Sequence, residues 1–203
     1  MKYIYDQPNN KYLELSPLYL AVKSQNDEIV NLLLENQNID INNINIEKLK
    51  NCKISQKTVL HEAIINDKID IVSSILDYSQ IDINKRSFSK IINKDSVEEN
   101  EFPPLYFALK NKNLEIISLL LSHPKFDFSS KSTKSFLSES NFFIEEKSLL
   151  QLAISIDDAN LVQFLMDLLQ KNNKISDDLG ELLKMTNNNQ IKSIIYSFIN
   201  KLN

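Results

Sequence analysis

Glycine is nearly missing from this chain, with Gly180 the only one in 203 residues. A phosphate-cradling P-loop, a dinucleotide fingerprint and a kinase glycine-rich loop all bring backbone close to phosphate and need several glycines. The nucleophile elbow and the EF-hand turn are absent for the same reason. Arginine is as scarce, Arg86 being the only one. Bidentate reading of bases or phosphates therefore has little to work with, and a net charge of −4 runs against a polyanion. Nucleic acid is not expected as a partner. Cys52 is the only cysteine, which rules out an internal disulfide framework. The two histidines, His61 and His123, lie far apart in different segments, so neither a closed zinc site nor any other metal or cofactor is expected. No opening apolar run has signal-peptide length, and none approaches the roughly 18 residues of a membrane span. No Asn-x-Ser/Thr sequon occurs. The expectation is an intracellular, cytoplasmic protein without a membrane partner.

What the chain does have is a repeat. "SPLYLA" (Ser16 to Ala21) returns as "TVLHEA" (Thr58 to Ala63), "PPLYFA" (Pro103 to Ala108) and "SLLQLA" (Ser148 to Ala153). An apolar pair follows eight and nine residues after each alanine: Ile29-Val30, Ile71-Val72, Ile116-Ile117 and Leu161-Val162. Asp40, Asp82 and Asp127 each stand nineteen residues after their alanine, within "DIN", "DIN" and "DFS". The pattern predicts two short helices per copy. Ser16, Thr58 and Ser148 are suited to cap the first, and Pro17 and Pro104 to open it, where a missing N–H costs nothing. The second helix is apolar on most faces, as a helix packed between neighbours requires.

These residues resemble the ankyrin repeat, with its Thr-Pro-Leu-His-x-Ala opening. A HEAT or tetratricopeptide array has the wrong opening for this motif. The fold class the resemblance implies is all-α: an ankyrin-repeat α-solenoid of about five helix-turn-helix repeats, with long loops or fingers between them. The divisions are an N-terminal capping segment 1–15, repeats 16–57, 58–102 and 103–147, each with a long finger, repeat 148–177, and a degenerate capping repeat 178–203. In the last, Asp178 occupies the place of Ser148, and Gly180 falls inside a helix rather than at a turn.

The spacing departs from the family. Successive alanines are 42, 45 and 45 residues apart, and the excess follows the aspartates, where the family's β-hairpin fingers lie. The fingers span about Asn42–Lys57, Asn84–Phe102 and Ser129–Lys147. Two readings of them stay open: solvated loops that drifted in length, or recognition loops using Phe88, Phe136, Phe142 or Phe143 as anchors. The turn between helices, four residues after each alanine, wants a left-handed residue but holds Gln25, Asp67, Lys112, Asp157 and Asn187. Strain is expected in repeats one and three, because Gln and Lys tolerate that conformation poorly.

His61 sits at the family's His position, which implies a structural tie. Asp157-Asp158 and the run Glu98, Glu99, Glu101 read as solvated charge, and Cys52 has no positioned base. In the ankyrin frame the residues two and three after each alanine face the concave groove: Lys23, Ser24, Ile65, Asn66, Lys110, Asn111, Ser155 and Ile156. The resemblance implies a non-catalytic scaffold that binds another protein through this strip and the fingers. The alternatives are a passive spacer within a larger assembly, or an enzyme built on His61 and finger carboxylates.

Overall fold

The structure is a computed structural model that describes residues 3–7, 11–36, 38–49, 53–175 and 177–202. It falls into two compact units, one of residues 1–127 with 132–146 and one of residues 128–131 with 147–203.

In the first unit three helical pairs follow one another: α1 (Pro17–Lys23) and α2 (Asp27–Leu34), α3 (Val59–Ile65) and α4 (Ile69–Leu76), α5 (Pro104–Asn111) and α6 (Leu114–Ser122). The first helices pack in sequence, α1 on α3 and α3 on α5, and the second helices do likewise. Ala63 and Ala108 are fully buried at these contacts, beside Leu60, Ile64, Leu109, Val72, Ile116 and Leu120. A small side chain there lets the helices approach, and each buried Leu or Ile contributes roughly 1.5–3 kcal/mol. Ser16 caps α1 by accepting from the Tyr19 N–H at 3.2 Å. The asparagine of each "DIN" stitches its repeat to the next. The Asn42 amide donates to the Gln80 carbonyl and its oxygen accepts from the Asp82 N–H, at 2.7 and 2.8 Å. Asn84 repeats this with Lys125 and Asp127.

The second unit holds α7 (Leu149–Ile156), α8 (Ala159–Lys171), α9 (Leu179–Lys184) and α10 (Asn189–Leu202). Ser148 caps α7, and Asp178 caps α9 by accepting from the Gly180 and Glu181 N–H groups. Gly180 is helical, as its place in the repeat predicts, and a Cβ there would come within 3.1 Å of the capping carboxylate.

The all-α expectation is overturned. Eight strands form one sheet in sequence order, from β1 (Tyr3–Gln7) and β2 (Lys11–Leu15) through β3 (Asn45–Leu49), β4 (Lys53–Lys57), β5 (Ser87–Ile92), β6 (Ser96–Phe102) and β7 (Ser132–Ser138) to β8 (Phe142–Lys147). The fingers are neither independent hairpins nor loops. Each is paired antiparallel with the next, β4 on β5 and β6 on β7, so that their backbone groups satisfy one another along the row. Residues 1–15 supply the first two strands, with β2 paired to β3.

Four turns are left-handed at the residues the alignment selects: Gln25, Asp67, Lys112 and Asp157, with φ of 57°, 59°, 59° and 58°. The first three close on the repeat's alanine: the Asn26, Lys68 and Asn113 N–H groups bond the carbonyls of Ala21, Ala63 and Ala108, the helix-ending arrangement glycine usually serves. Asn187 is not left-handed; Asn173, closing α8, is. Lys112→Gly is accordingly expected to raise stability by about 1 kcal/mol or less, the relief of left-handed strain outweighing the added freedom of the unfolded chain. A urea midpoint that rises at constant slope shows it, and one that falls refutes it.

Candidate functional site

β2, β4 and β6 run into the N-terminal ends of α1, α3 and α5 with one residue between, and Lys23 at the far end of α1 reaches β3. The register puts Leu13, Glu47, Ser55, Ser89, Asn100 and Lys134 in one row across the sheet. Glu47 fixes which face that is, because its carboxylate is bonded by Lys23 at the end of α1. The same face therefore carries, one row toward the tips, Lys53, Ile91, Glu98 and Phe136. The Lys23–Glu47 contact thus turns this face of the sheet toward the end of α1.

Beside this contact lies a buried polar network. The Tyr19 hydroxyl donates to Glu62 at 2.8 Å and lies 3.4 Å from Glu47, while Lys57 reaches the same Glu62 oxygen at 3.5 Å. Tyr19 is buried, and burial first, then the Glu62 carboxylate, pushes its phenol far above the usual tyrosine range. His61 occupies the equivalent motif position one repeat on. Its ring meets Phe107 edge-on at 5.6 Å, where Tyr19 meets Glu62. Motif position four of one repeat thus packs on position five of the next. His61 Nδ1 accepts from the Thr58 N–H at 3.2 Å, and Nε2 is buried without a hydrogen bond. Burial pushes the imidazole down to about 3, against an opposing pull from the Phe102 carbonyl, with Lys57 lowering it further. The ring is neutral at pH 7 and seals the joint between repeats.

The roots of the fingers hold buried polar residues at the first position of β3, β5 and β7: Asn45, Ser87 and Ser132. Asn45 accepts from the Ser16 N–H at 2.6 Å and donates to the Asn43 and Lys57 carbonyls, tying the first finger to α1. All three stand five residues after their "D". That constant spacing was available as a signal, but a polar residue inside a long insertion reads as solvated.

Of the concave strip, six residues come together on the ends of α1, α3 and α5. Lys23 is engaged with Glu47, and the Ser24 hydroxyl donates to the Ala21 carbonyl at 3.1 Å. Asn66 donates to the Val22 carbonyl and Asn111 to that of Ile64, at 3.1 and 2.8 Å. These two amides link successive helices. Ile65 is half-buried, and Lys110 is exposed. Ser155 and Ile156 end α7 in the second unit, where the Ser155 hydroxyl bonds the Leu152 carbonyl at 2.7 Å.

The finger carboxylates face basic partners rather than His61. Glu99 pairs with Lys90 at 2.7 Å and Glu101 with Arg86 at 3.0 Å. His123 follows α6, with Nδ1 accepting from the Lys125 N–H at 3.2 Å. Cys52 lies outside the described residues. Phe88 is half-buried on the outer face of the sheet, opposite Gln56 and Glu101. Phe136 stacks on Phe143, and Phe142 is exposed.

A family model described as ankyrin repeats (3 copies) matches residues 1–87 and 41–132. No curated protein matches the chain. Ankyrin repeats are generally protein–protein interaction modules, and the family is typically non-catalytic.

Proposed function

We propose, from the premise that the chain belongs to the ankyrin-repeat family, that it is a non-catalytic scaffold gripping one protein partner between its first helices and its finger sheet. The observation that carries this is the Lys23–Glu47 contact, which in this reading sets one face of the finger sheet and the helical strip as the two walls of a groove. One wall mixes Lys23, Ile65 and Lys110, and the other mixes Lys53, Ile91, Glu98 and Phe136. Apolar anchors set among polar contacts suit a protein surface better than a polyanion or a lipid. The fixed floor of Tyr19, Glu62 and His61 keeps the wall residues in place, so that little ordering cost falls on binding. The compartment in the same proposal is the cytoplasm, where a lone cysteine stays reduced.

Photo-cross-linking tests it. A photoreactive amino acid at Lys110 in the full chain, expressed in its native cell, is expected to capture a discrete protein. Ile65→Asp in the same chain should lower that capture about tenfold, the scale of one lost anchor contact. Equal capture from Lys110 and from exposed Ser193 on α10, indifferent to Ile65→Asp, overturns the reading in favour of a passive spacer.

A further inference from the structure

The first repeat carries an apolar face that its successors bury. Ile29 on α2 is 45% exposed, whereas Ile71 and Ile116, the same eight residues after their alanines, are 4% and 0%. Leu33 is half-buried, and its counterparts Ile75 and Leu120 are fully buried. Leu20 on α1 is exposed where Glu62 lies buried against Tyr19 of the preceding repeat. Leu32 adds a side chain that is 62% exposed, and a cleft of about 400 Å³ is lined by Leu33, Ile39 and Asp40. In repeats two and three the preceding helices cover these positions, α1 on α3 and α2 on α4, then α3 on α5 and α4 on α6. A solenoid repeat contacts only its neighbours, and one that ends an array in water needs a polar outer face. This one is apolar.

Polar groups on the same face are set to bond a neighbour. At the two joints already described, an asparagine of one repeat spans a carbonyl and an N–H of the next: Asn42 on Gln80 and Asp82, Asn84 on Lys125 and Asp127. Their counterparts in repeat one are the Asn38 carbonyl and the Asp40 N–H, and neither is bonded among the described residues. Asn113 caps α6 with its side-chain oxygen and gives its amide to Asp67 in the preceding turn, at 2.8 Å. Asn26 caps α2 in the same way, and its amide bonds nothing among the described residues.

We propose that this face docks an ankyrin-type helical pair of another protein, stacked as each repeat here stacks on its predecessor. The filled joints specify its chemistry. It carries an Asp-x-Asn loop, whose asparagine donates to the Asn38 carbonyl and accepts from the Asp40 N–H. It holds an aspartate in its turn to take the Asn26 amide, and an apolar second helix to cover Ile29, Leu32 and Leu33. A second copy of this chain does not offer that loop: Asn42 and Asn84 are engaged with the repeats that follow them, and the third position holds Ser129. The inference rests on the reading of the chain as a protein-binding module but uses a surface other than the concave strip.

A photoreactive phenylalanine analogue in place of Leu32, in the full chain expressed in its native cell, tests it. The cross-linked peptides, identified by mass spectrometry, are expected to come from one other protein and to fall in a helical pair followed by Asp-x-Asn. Ile29→Lys in the same chain should lower the capture about tenfold, and Ile65→Asp should leave it unchanged. The exposed site leaves folding intact, which an unchanged melting curve checks. The captured protein, once purified, should bind the full chain about tenfold more weakly when its loop asparagine is replaced by alanine. Peptides from the chain itself, peptides from segments without that motif, or no capture at all overturn the inference. So does capture indifferent to Ile29→Lys, or binding indifferent to the loop asparagine. Capture lost on Ile65→Asp and kept on Ile29→Lys overturns it as well, while leaving the concave-groove reading standing.

Discussion

His61→Gln is expected to flatten the acid side of the stability profile. In the unfolded chain the imidazole titrates near its ordinary 6.5, and in the folded chain burial holds it down to about 3. Between those values the unfolded state takes up a proton that the folded state refuses. The contribution is therefore intact above pH 6.5 and is lost as pH falls toward 3. The slope is about 1 kcal/mol per pH unit, amounting to several kcal/mol across the window. Glutamine does not titrate, so the variant lacks this term. It also keeps the cap: in α7 the Gln151 side chain accepts from the Ser148 N–H at 3.0 Å, as His61 does from Thr58. At pH 7 the variant loses the ring's contact with Phe107, a cost of about 1–2 kcal/mol. Urea midpoints from pH 8 to pH 4 should start lower for the variant, meet the wild type at about pH 5 and lie above it at pH 4. Parallel profiles would show that His61 is not buried neutral. A histidine doing chemistry would have to meet a substrate, and this ring reaches no surface.

The helical half of this fold is written locally. The constant intervals from alanine to apolar pair and from alanine to aspartate set the helices, and the turn slot falls at φ near 58° in four repeats, Lys112 included. The fifth turn departs because Thr186 to Asn188 are held by side chains instead, the Thr186 hydroxyl accepting from the Asn188 N–H at 3.0 Å. The extents of the fingers were also legible, since β3–β4, β5–β6 and β7–β8 fall inside the three insertions. What could not be read was their union into one sheet. Pairing between fingers joins residues some forty positions apart, and its register depends on how the helices stack beneath. One cross-strand signal lies in the second finger, where Lys85, Arg86, Lys90 and Lys94 are followed by Asp95, Glu98, Glu99 and Glu101. The basic and acidic halves of the second finger are the two strands of a hairpin, turned about Asn93 to Ser96, with Lys90 set opposite Glu99. Opposite charges mirrored about a short polar turn mark cross-strand pairs. The concave strip is written in the sequence only as positions. That Asn66 and Asn111 also bind carbonyls of the preceding helix, and that Glu47 reaches Lys23, depends on neighbours the sequence does not place.

In the proposed function the sheet turns three insertions into the second wall of the binding groove, and its presence in the free protein is the central claim. Strands β3 to β6 have a partner on both sides, so their amides are bonded within the sheet rather than to water. Hydrogen exchange on the isolated chain measures this. The account predicts amides of β4 and β5, including Ser55 and Ser89, exchanging on the order of a hundredfold or more slower than an unstructured peptide, with less protection toward β8 at the edge. Exchange of all three fingers at unstructured-peptide rates, beside protected helices, would contradict it.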